Sequence, residues 1–336
     1  METEVKLKDW EPREDVPHPT IVLVGKRFAG KSTTAIAIAS AYKFHRWAAW
    51  CGTRDTQDYW SEAFGSAASV WGVDHNAIQA LVRIVEFQQQ KVELYKQLKK
   101  PFPKKYSIGL IFDDVTADRT FRKHPILEDL FANGRHYHTM ILISCQYVKQ
   151  LPPPVRTNSD YIFILHNTKA TLRILYNEFV ENPDTYDMFA QLVRGVTNCK
   201  KNGKHLYMSL VYDNCTSAEE LSEIFNIFRH TEGFDKNAVQ LGSHEWRTWN
   251  RTHFKNTRIT NMMARVNKHA KQKQKQKQNQ KQNGERSART STSRSNGYTN
   301  SGDVILHKKS KTIQSFQVTF PKESKAPNIR SWKNPM

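Results

Sequence analysis

Continuous apolar runs alternate along the first two thirds of the chain with stretches in which apolar residues recur every three or four positions. Uninterrupted apolar runs of this length are typical of strands that are buried on both faces. The runs cover residues 21–24, 47–51, 108–112, 140–146, 161–165 and 206–212, and helices are predicted over residues 33–42 and 77–98. The alternation predicts an α/β fold in which helices sandwich a parallel sheet, with the functional site at the carboxyl ends of the strands.

A glycine-rich turn, residues 25–32, joins the first strand to the first helix. Its residues and the one after it are Gly25, Lys26, Arg27, Phe28, Ala29, Gly30, Lys31, Ser32 and Thr33. This is the order Gly-x-x-x-x-Gly-Lys-Ser, in which glycines let the backbone bend so that its N–H groups surround a phosphate. Lys31 is expected to reach the β- and γ-phosphates, and Ser32 to ligate Mg²⁺. The pattern predicts a P-loop NTPase that binds ATP and Mg²⁺ with residues 25–33, while a chance match in an ordinary turn is disfavoured by the flanking strand and helix.

Polar residues end two of the later apolar runs. Asp113 and Asp114 follow residues 108–112, and Gln146 ends the run 140–146. Asp113 is expected to hold Mg²⁺ and Asp114 to polarise the attacking water. Gln146 is expected to sense the γ-phosphate or orient that water. The alternatives are a plain strand-to-turn signal for the two acids and a structural amide for Gln146.

Hydrolysis also needs a positive charge at the transition state, which a neighbouring subunit often supplies as an arginine. Arg135, in Asn-Gly-Arg-His-Tyr-His, is the first candidate, and Arg156, in Pro-Pro-Pro-Val-Arg-Thr-Asn, is the second. Each could equally be a surface or structural arginine.

Charge divides the chain into two very different parts. The net charge is +19, and residues 246–336 alone carry 21 Lys and Arg against three acids, which leaves +1 for residues 1–245. Such a tail indicates an electrostatic arm for nucleic acid first and an anionic membrane second. A tail that serves only solubility is the alternative.

These changes of composition predict five segments. They are an N-terminal extension (1–17), a P-loop ATPase domain (18–240), a basic aromatic segment (241–270), a disordered Lys/Gln/Ser-rich linker (271–302) and a C-terminal tail with a possible docking strand (303–336). The basic aromatic segment, with Trp246 and Trp249, has a composition suited to phosphate contact and base stacking.

The cysteines and the hydropathy predict a protein of a reducing, intracellular compartment. Four cysteines occur without a Cys-x-x-Cys pair, and Cys199, His205 and Cys215 have no recognised metal-ligand spacing. No apolar run reaches the roughly 20 residues of a membrane span, and the charged start is unlike a signal peptide. We expect no transmembrane segment.

Residues 128–163 carry a family resemblance. They include Asn133-Gly134-Arg135-His136-Tyr137-His138, the strand that ends at Gln146, and Leu151-Pro152-Pro153-Pro154-Val155-Arg156-Thr157-Asn158. This segment strongly resembles the DNA-packaging ATPases of large nucleocytoplasmic DNA viruses, the poxvirus-type branch of the FtsK–HerA superfamily. With the phosphate loop and the two acids in order, the resemblance covers roughly residues 18–215.

The resemblance implies an additional-strand ATPase core and a homo-oligomeric ring, with a hexamer expected. By position, Lys31 and Ser32 match the family's Walker A residues, Asp113 and Asp114 its Walker B acids, Gln146 its strand-end sensor and Arg135 an arginine of FtsK-like motors. One departure is Asp114, because many members carry glutamate there.

The function that the resemblance implies is ATP-driven translocation of double-stranded DNA into a preformed capsid. The implied partners are DNA and capsid or membrane proteins at the packaging vertex, and the implied location is the viral factory in the host cytoplasm or the virion. Alternatives are a helicase or conjugative-type pump that acts on single strands, and a nucleotide-gated capsid- or DNA-binding module that does not hydrolyse ATP. A small-molecule kinase is disfavoured, because it has little use for so basic a tail.

Overall fold

Nine strands form one sheet that is parallel over most of its width. In the computed structural model, residues 5–180, 186–201, 204–218, 220–230, 234–253 and 318–319 are described. In chain order, the strands of the sheet are β2 (Lys8–Asp9), β3 (Thr20–Val24), β4 (Arg46–Cys51), β5 (Val70–Trp71), β6 (Ile108–Asp113), β7 (Thr139–Cys145), β8 (Tyr161–Ile164), β11 (Ser209–Asp213) and β12 (Phe225–Phe228). Four further strands form two small pairs, β1 (Val5–Lys6) with β13 (Val318–Thr319) and β9 (Lys200–Lys201) with β10 (Lys204–His205).

The spatial order of the strands places the phosphate loop near the middle of the sheet. The order is β2-β12-β11-β8-β3-β7-β6-β4-β5, and the six strands from β8 to β5 run parallel. Strand β7 lies between β3, which precedes the phosphate loop, and β6, which precedes the two acids. The carboxyl ends of β3, β6 and β7 therefore meet at one edge of the sheet. Strand β7 is the additional strand, inserted between the strand of the phosphate loop and the strand of the two acids.

Helices cover both faces of the sheet, as the apolar runs predict. They are α1 (Lys31–Ala41), α2 (Arg54–Phe64), α3 (His75–Gln97), α4 (Arg119–Arg122), α5 (Pro125–Asn133), α6 (Pro153–Thr157), α7 (Lys169–Phe179), α8 (Tyr186–Thr197), α9 (Leu221–Ile224) and α10 (His244–His253). Helices α1 and α2 pack on the face that carries Ile21 and Leu23, and α3, α5, α7 and α8 pack on the face that carries Val22 and Val24. Short 3₁₀ turns cover Ala67–Ser69, Lys104–Tyr106, Val115–Ala117, Gly134–Tyr137, Val148–Gln150 and Lys236–Ala238.

Polar side chains cap the amino-terminal ends of several helices. The Asp74 carboxylate accepts from the Ala77 N–H at 2.8 Å at the start of α3, and Thr168 caps α7 through the Thr171 N–H at 3.2 Å. A cap satisfies a backbone donor that has no partner within the helix, so it defines where the helix begins. Helix α3 accordingly starts at His75, two residues before the predicted start.

The last predicted strand differs from its prediction in direction and length. Residues 206–212 were expected to complete the parallel sheet, but β11 begins at Ser209 and is antiparallel to both β8 and β12. An apolar run does not encode strand direction, because parallel and antiparallel strands buried on both faces have the same composition. The start of the predicted strand, residues 206–208, instead forms a loop beside the phosphate loop.

Segments on either side of the predicted ATPase domain belong to the same compact unit. Strand β2 extends the sheet, and the buried Trp10 packs edge-on against Phe163 with ring centroids 5.0 Å apart. Trp246, which belongs to the segment whose composition suits phosphate contact and base stacking, packs against Phe64 with ring centroids 5.8 Å apart. At Trp246, the aromatic residue therefore serves to dock helix α10 on the core.

Several predictions lie wholly or partly outside the described residues. These concern residues 254–270 of the basic aromatic segment, the linker 271–302 and the C-terminal tail apart from Val318 and Thr319. These two residues, in the predicted docking strand, pair in parallel with β1. Over the part of the chain that is described, no helix combines the length and the apolar character needed to cross a membrane.

Candidate nucleotide-binding site

The phosphate loop is clamped between the carboxyl ends of β7 and β8. The Gly25 N–H donates to the carbonyl of Cys145 at 3.2 Å, and the Lys26 N–H donates to that of His166 at 3.1 Å. Gly30 has φ +91°, a left-handed conformation that favours glycine. A Cβ on Gly25 would lie 3.0 Å from the Leu165 side chain. Both positions therefore favour glycine, Gly30 for its backbone conformation and Gly25 for close packing.

The Lys31 ammonium is fixed inside the loop. Its Nζ donates to the carbonyls of Gly25 at 3.1 Å and Lys26 at 3.4 Å, and the residue is only 7% exposed. Helix α1 begins at this residue, two positions earlier than predicted, so its first N–H groups face the same space. A buried ammonium and a helix N-terminus that converge in a glycine-rich loop form a site for an anion such as a polyphosphate.

The remaining loop residues differ in exposure. Ala29 is buried against the core, and Thr33 is half-buried in the first turn of α1. Phe28, at the tip, is 85% exposed and has φ +63°, and the Arg27 guanidinium lies 5.0 Å from the centroid of its ring. The loop therefore presents a cation and an aromatic ring to solvent at its tip.

Asp113, the last residue of β6, is buried and accepts three side-chain hydrogen bonds. Ser32 Oγ donates to Oδ2 at 3.1 Å, Trp60 Nε1 donates to Oδ2 at 3.0 Å, and Ser144 Oγ donates to Oδ1 at 2.5 Å. The contact between Ser32 and Asp113 brings together the two residues predicted to bind Mg²⁺. A hydroxyl and a carboxylate beside an anion site are the hard oxygen donors that Mg²⁺ prefers, with phosphate and water completing its shell. These residues therefore fit a magnesium ion.

Asp114 lies at the centre of the remaining candidates. Its Oδ1 is 3.9 Å from Lys31 Nζ, and its Oδ2 accepts from Gln146 Nε2 at 3.2 Å. Burial raises the pKa of Asp114, the Lys31 charge opposes that rise, and the Asp113 carboxylate adds to it. A carboxylate with a raised pKa, oriented by an amide and facing the anion site, is able to accept a proton from a bound water.

The backbone at Asp114 is held in an uncommon conformation. Its φ is +53°, in the left-handed region, and its N–H donates to the backbone carbonyl and the Oγ of Ser144 at 3.3 and 3.2 Å. A Cβ on Gly52 would lie 2.2 Å from the Asp114 carbonyl oxygen. Residue 52, which directly follows β4, must therefore be glycine if Asp114 is to keep this position.

The two arginine candidates lie in different places, and Arg135 is at the edge of the sheet opposite the phosphate loop of its own chain. Arg135 is exposed in the 3₁₀ turn Gly134–Tyr137, just before the amino end of β7, whereas Gln146 follows the carboxyl end. The length of β7 separates these two edges by roughly 20 Å. Arg156, in α6, forms an ion pair with Glu178. A role for Arg135 in phosphate chemistry would therefore need a second copy of the chain.

Sequence reasoning missed four residues that shape the site. Trp60, Ser144, Gly52 and Asn167 contact the catalytic candidates or the strands beside them. Asn167 Nδ2 donates to the carbonyls of Val24 at 3.0 Å and Leu165 at 2.9 Å, which ties the end of β3 to the end of β8. A polar residue just after an apolar strand was the signal that identified Gln146, and it applies equally to Asn167. No local signal marks Trp60.

The four cysteines form no disulfide bond, and the side chain of His205, which the sequence places near Cys199 and Cys215, lies outside what the structure describes. Cys51, Cys145, Cys199 and Cys215 are all free thiols, and burial raises the pKa of Cys145 to about 12. Across the ranges that the structure describes, no three His, Cys, Asp or Glu residues are grouped so that they could hold a metal ion.

Comparison with known proteins identifies relatives in viruses. No protein-family model matches the chain. It is 24% identical over 252 residues to the uncharacterized protein 075L of Invertebrate iridescent virus 6, a match that covers 70% of this chain and 87% of the relative. It is 26% identical over 178 residues to the uncharacterized protein L437 of Acanthamoeba polyphaga mimivirus, a match that covers 52% of this chain and 62% of the relative.

A similar solved structure is also viral. The genome packaging NTPase B204 of Sulfolobus turreted icosahedral virus 2, in complex with ATP-gammaS, aligns with a TM-score of 0.39 and 17% sequence identity, covering 63% of this chain and 96% of B204. The chain, an α/β protein with a phosphate loop at the carboxyl edge of a mostly parallel sheet, is thus similar to proteins of large DNA viruses.

Proposed function

We propose that the chain is an ATP-hydrolysing motor that translocates double-stranded viral DNA into a preformed capsid. The observation that carries the proposal is the convergence of Lys31, Asp114 and Gln146 beside the phosphate loop, within contacts of 3.2–3.9 Å. A loop that only binds phosphate needs the lysine. Hydrolysis also needs a base and an oriented water. Asp114 can act as the base, and Gln146 can orient the water.

The residues of the site would divide the reaction among them. Lys31 and the N–H groups of the loop bind the β- and γ-phosphates. Gln146 orients a water, and Asp114 accepts its proton as the water oxygen bonds to the γ-phosphorus and the bond to the β-phosphate oxygen breaks, which releases ADP and phosphate. Ser32 and Asp113 would hold Mg²⁺, which supplies neutralisation of the phosphate charge when bound.

Charge supports DNA as the partner. Beyond the +18 tail, residues 91–105 hold six lysines and a single acid, Glu93. Lys91 Nζ lies 4.4 Å from the ring centroids of Phe87 and Tyr106, and burial, followed by the nearby Arg46, lowers its pKa. We name the exposed part of this region the α3 basic surface: Lys96, Lys99, Lys100, Lys104 and Lys105. Clustered lysines of this kind suit the phosphates of a duplex.

The exposed Arg135 supports assembly into a homo-oligomeric ring, in which it would reach the phosphate loop of the next subunit. The proposed partners in the virus are capsid or membrane proteins at the packaging vertex. The proposed place of action is the viral factory of the host cytoplasm, or the virion.

The decisive test is ATP turnover by the purified chain in Mg²⁺, with and without duplex DNA at modest salt. We expect stimulation by duplex DNA, and loss of turnover in Lys31→Ala but not in a matched control, the exposed Lys43→Ala. Equal rates with and without DNA would contradict the motor. ATP binding without turnover would favour the nucleotide-gated binding module, and strand displacement from a forked duplex would favour the helicase.

A further inference from the structure

An exposed tyrosine, Tyr207, lies beside the phosphate loop at Gly30. Tyr207 belongs to the loop 206–208 that leads into β11 and is 53% exposed. Its ring lies beside Gly30, because a Cβ added to Gly30 would lie 3.3 Å from Tyr207 Cδ1. The aromatic face therefore borders the space that a bound triphosphate would enter.

The backbone around Tyr207 holds the ring in this position. Its φ is +48°, a left-handed conformation that residues with a side chain adopt rarely and that clusters at ligand-binding sites. The preceding Leu206 N–H donates to the Cys199 carbonyl at 3.1 Å, and the following Met208 is buried. Both neighbours are thus fixed to the protein while the aromatic ring stays at the surface.

The order of the strands indicates in which direction a bound nucleotide would extend across the carboxyl edge of the sheet. Asp114 and Gln146 follow β6 and β7 on one side of β3, so the γ-phosphate belongs on that side. Strands β8 and β11 lie on the other side of β3, and β11 is two strand spacings away, roughly 10 Å. A nucleotide with its γ-phosphate at Asp114 would extend its base toward β8 and β11, where Tyr207 lies.

We propose that Tyr207 forms the nucleobase subsite by stacking its ring on the base of the bound nucleotide. This inference rests on the proposed function, because it requires a nucleoside triphosphate in the phosphate loop. Stacking uses the π-face that every base has, so this contact tolerates different bases and adds affinity for the nucleoside part of the ligand alone.

The test compares ATP with inorganic tripolyphosphate, which has the phosphates but no base. Calorimetry in Mg²⁺ should show that Tyr207→Ala weakens ATP binding by about 5- to 100-fold, while tripolyphosphate binding changes by less than about twofold. Tyr207→Phe should bind ATP like the unmodified chain. The matched control is Tyr147→Ala, a 64% exposed tyrosine that follows Gln146 on the γ-phosphate side and should leave ATP affinity unchanged.

Two results would overturn the subsite: unchanged ATP affinity in Tyr207→Ala, or an equal loss for ATP and tripolyphosphate. If Tyr207→Ala does not fold, as judged by circular dichroism, the unmodified chain supplies a second measurement. The fluorescence of 2-aminopurine riboside triphosphate should be quenched on binding if its base stacks, and unquenched binding would contradict the proposal. Failure of the proposed function is separate, since it would appear as equal ATP turnover with and without duplex DNA, a readout that does not depend on the base-binding measurements.

Discussion

The indole of Trp60 donates from Nε1 to Oδ2 of Asp113 at 3.0 Å, and both residues are buried. Trp60 comes from α2, so this contact ties a helix on one face of the sheet to the carboxyl end of β6. It holds the predicted magnesium ligand in the orientation that also meets Ser32. The indole is therefore a positioning group for the site.

Trp60→Phe keeps an aromatic ring but removes this donor. We expect the free energy of unfolding to fall by about 1–3 kcal/mol, because a buried carboxylate loses a hydrogen bond. Urea denaturation measures the change. The matched control is Trp47→Phe: among the described residues, the buried Trp47 Nε1 has no hydrogen-bond partner. If the two variants lose the same stability, packing alone accounts for Trp60.

Asp114→Asn should separate hydrolysis from binding. The amide keeps the size of the side chain but cannot accept the proton of the attacking water, so we expect the turnover rate to fall by about 10²- to 10⁴-fold. ATP affinity should be retained, which calorimetry checks. Asp55→Asn, at an exposed position in the first turn of α2, is the control and should keep full turnover. Full turnover by Asp114→Asn would remove Asp114 from the role of base.

The raised pKa of Asp114 predicts a pH dependence. The base must be deprotonated, so the acidic limb of kcat/KM should lie above the ordinary aspartate pKa of about 3.9. A raised pKa in the folded chain contributes stability below the unfolded pKa, and that contribution is lost as pH rises through the folded pKa. Between the unfolded and the folded pKa of Asp114, the free energy of unfolding of the unmodified chain should therefore fall with rising pH, relative to that of Asp114→Asn. A stability difference that does not change with pH would contradict the shift.

A mixing experiment tests Arg135 as a residue supplied by a second subunit. Lys31→Ala lacks a working phosphate loop and Arg135→Ala lacks the arginine, so each alone should be inactive. In a mixed ring, an intact loop can meet the Arg135 of a Lys31→Ala neighbour, and part of the ATPase activity should return. Arg156→Ala mixed in the same way is the comparison. Activity of Arg135→Ala by itself would exclude the role.

The two basic regions should be separable by the salt dependence of DNA binding. A chain that ends at His253 keeps α10, whose Asn250 is buried and whose Arg251 donates to the Gly65 carbonyl, so it should fold. Its DNA affinity should depend less steeply on salt, because each lost phosphate contact removes about 0.9 from the slope of log K against log salt. Truncation at residue 246, the boundary that composition indicates, would remove this docked helix.

The α3 basic surface is tested in the full chain by changing Lys99, Lys100, Lys104 and Lys105 to glutamine. We expect a smaller salt slope and weaker stimulation of the ATPase by DNA, while turnover without DNA stays the same. The charge-matched control changes four tail lysines, Lys271, Lys273, Lys275 and Lys277, to glutamine. If the slope of log K against log salt in the α3 variant equals that of the unmodified chain, DNA binding belongs to the tail alone.

The parts of the site that could be predicted from sequence are those encoded by neighbours along the chain. The phosphate loop depends on local backbone conformation at Gly30 and on Lys31 six positions after Gly25. Asp113 and Gln146 could be predicted because each lies at or just after the carboxyl end of a buried strand. Trp60 could not, because its partner is 53 residues away and its own helix carries no sign of it.

Sequence alone determined the fold class, the anion site and the edge of the sheet where the chemistry would lie, because periodicity, glycine conformation and strand ends are local properties. Tertiary structure decided which residues contact one another across that edge. It turned the last predicted strand antiparallel, docked Trp246 on Phe64, and brought Tyr207 against Gly30. The physical reason is that strand order and packing depend on interactions between distant residues, and local patterns constrain these only weakly.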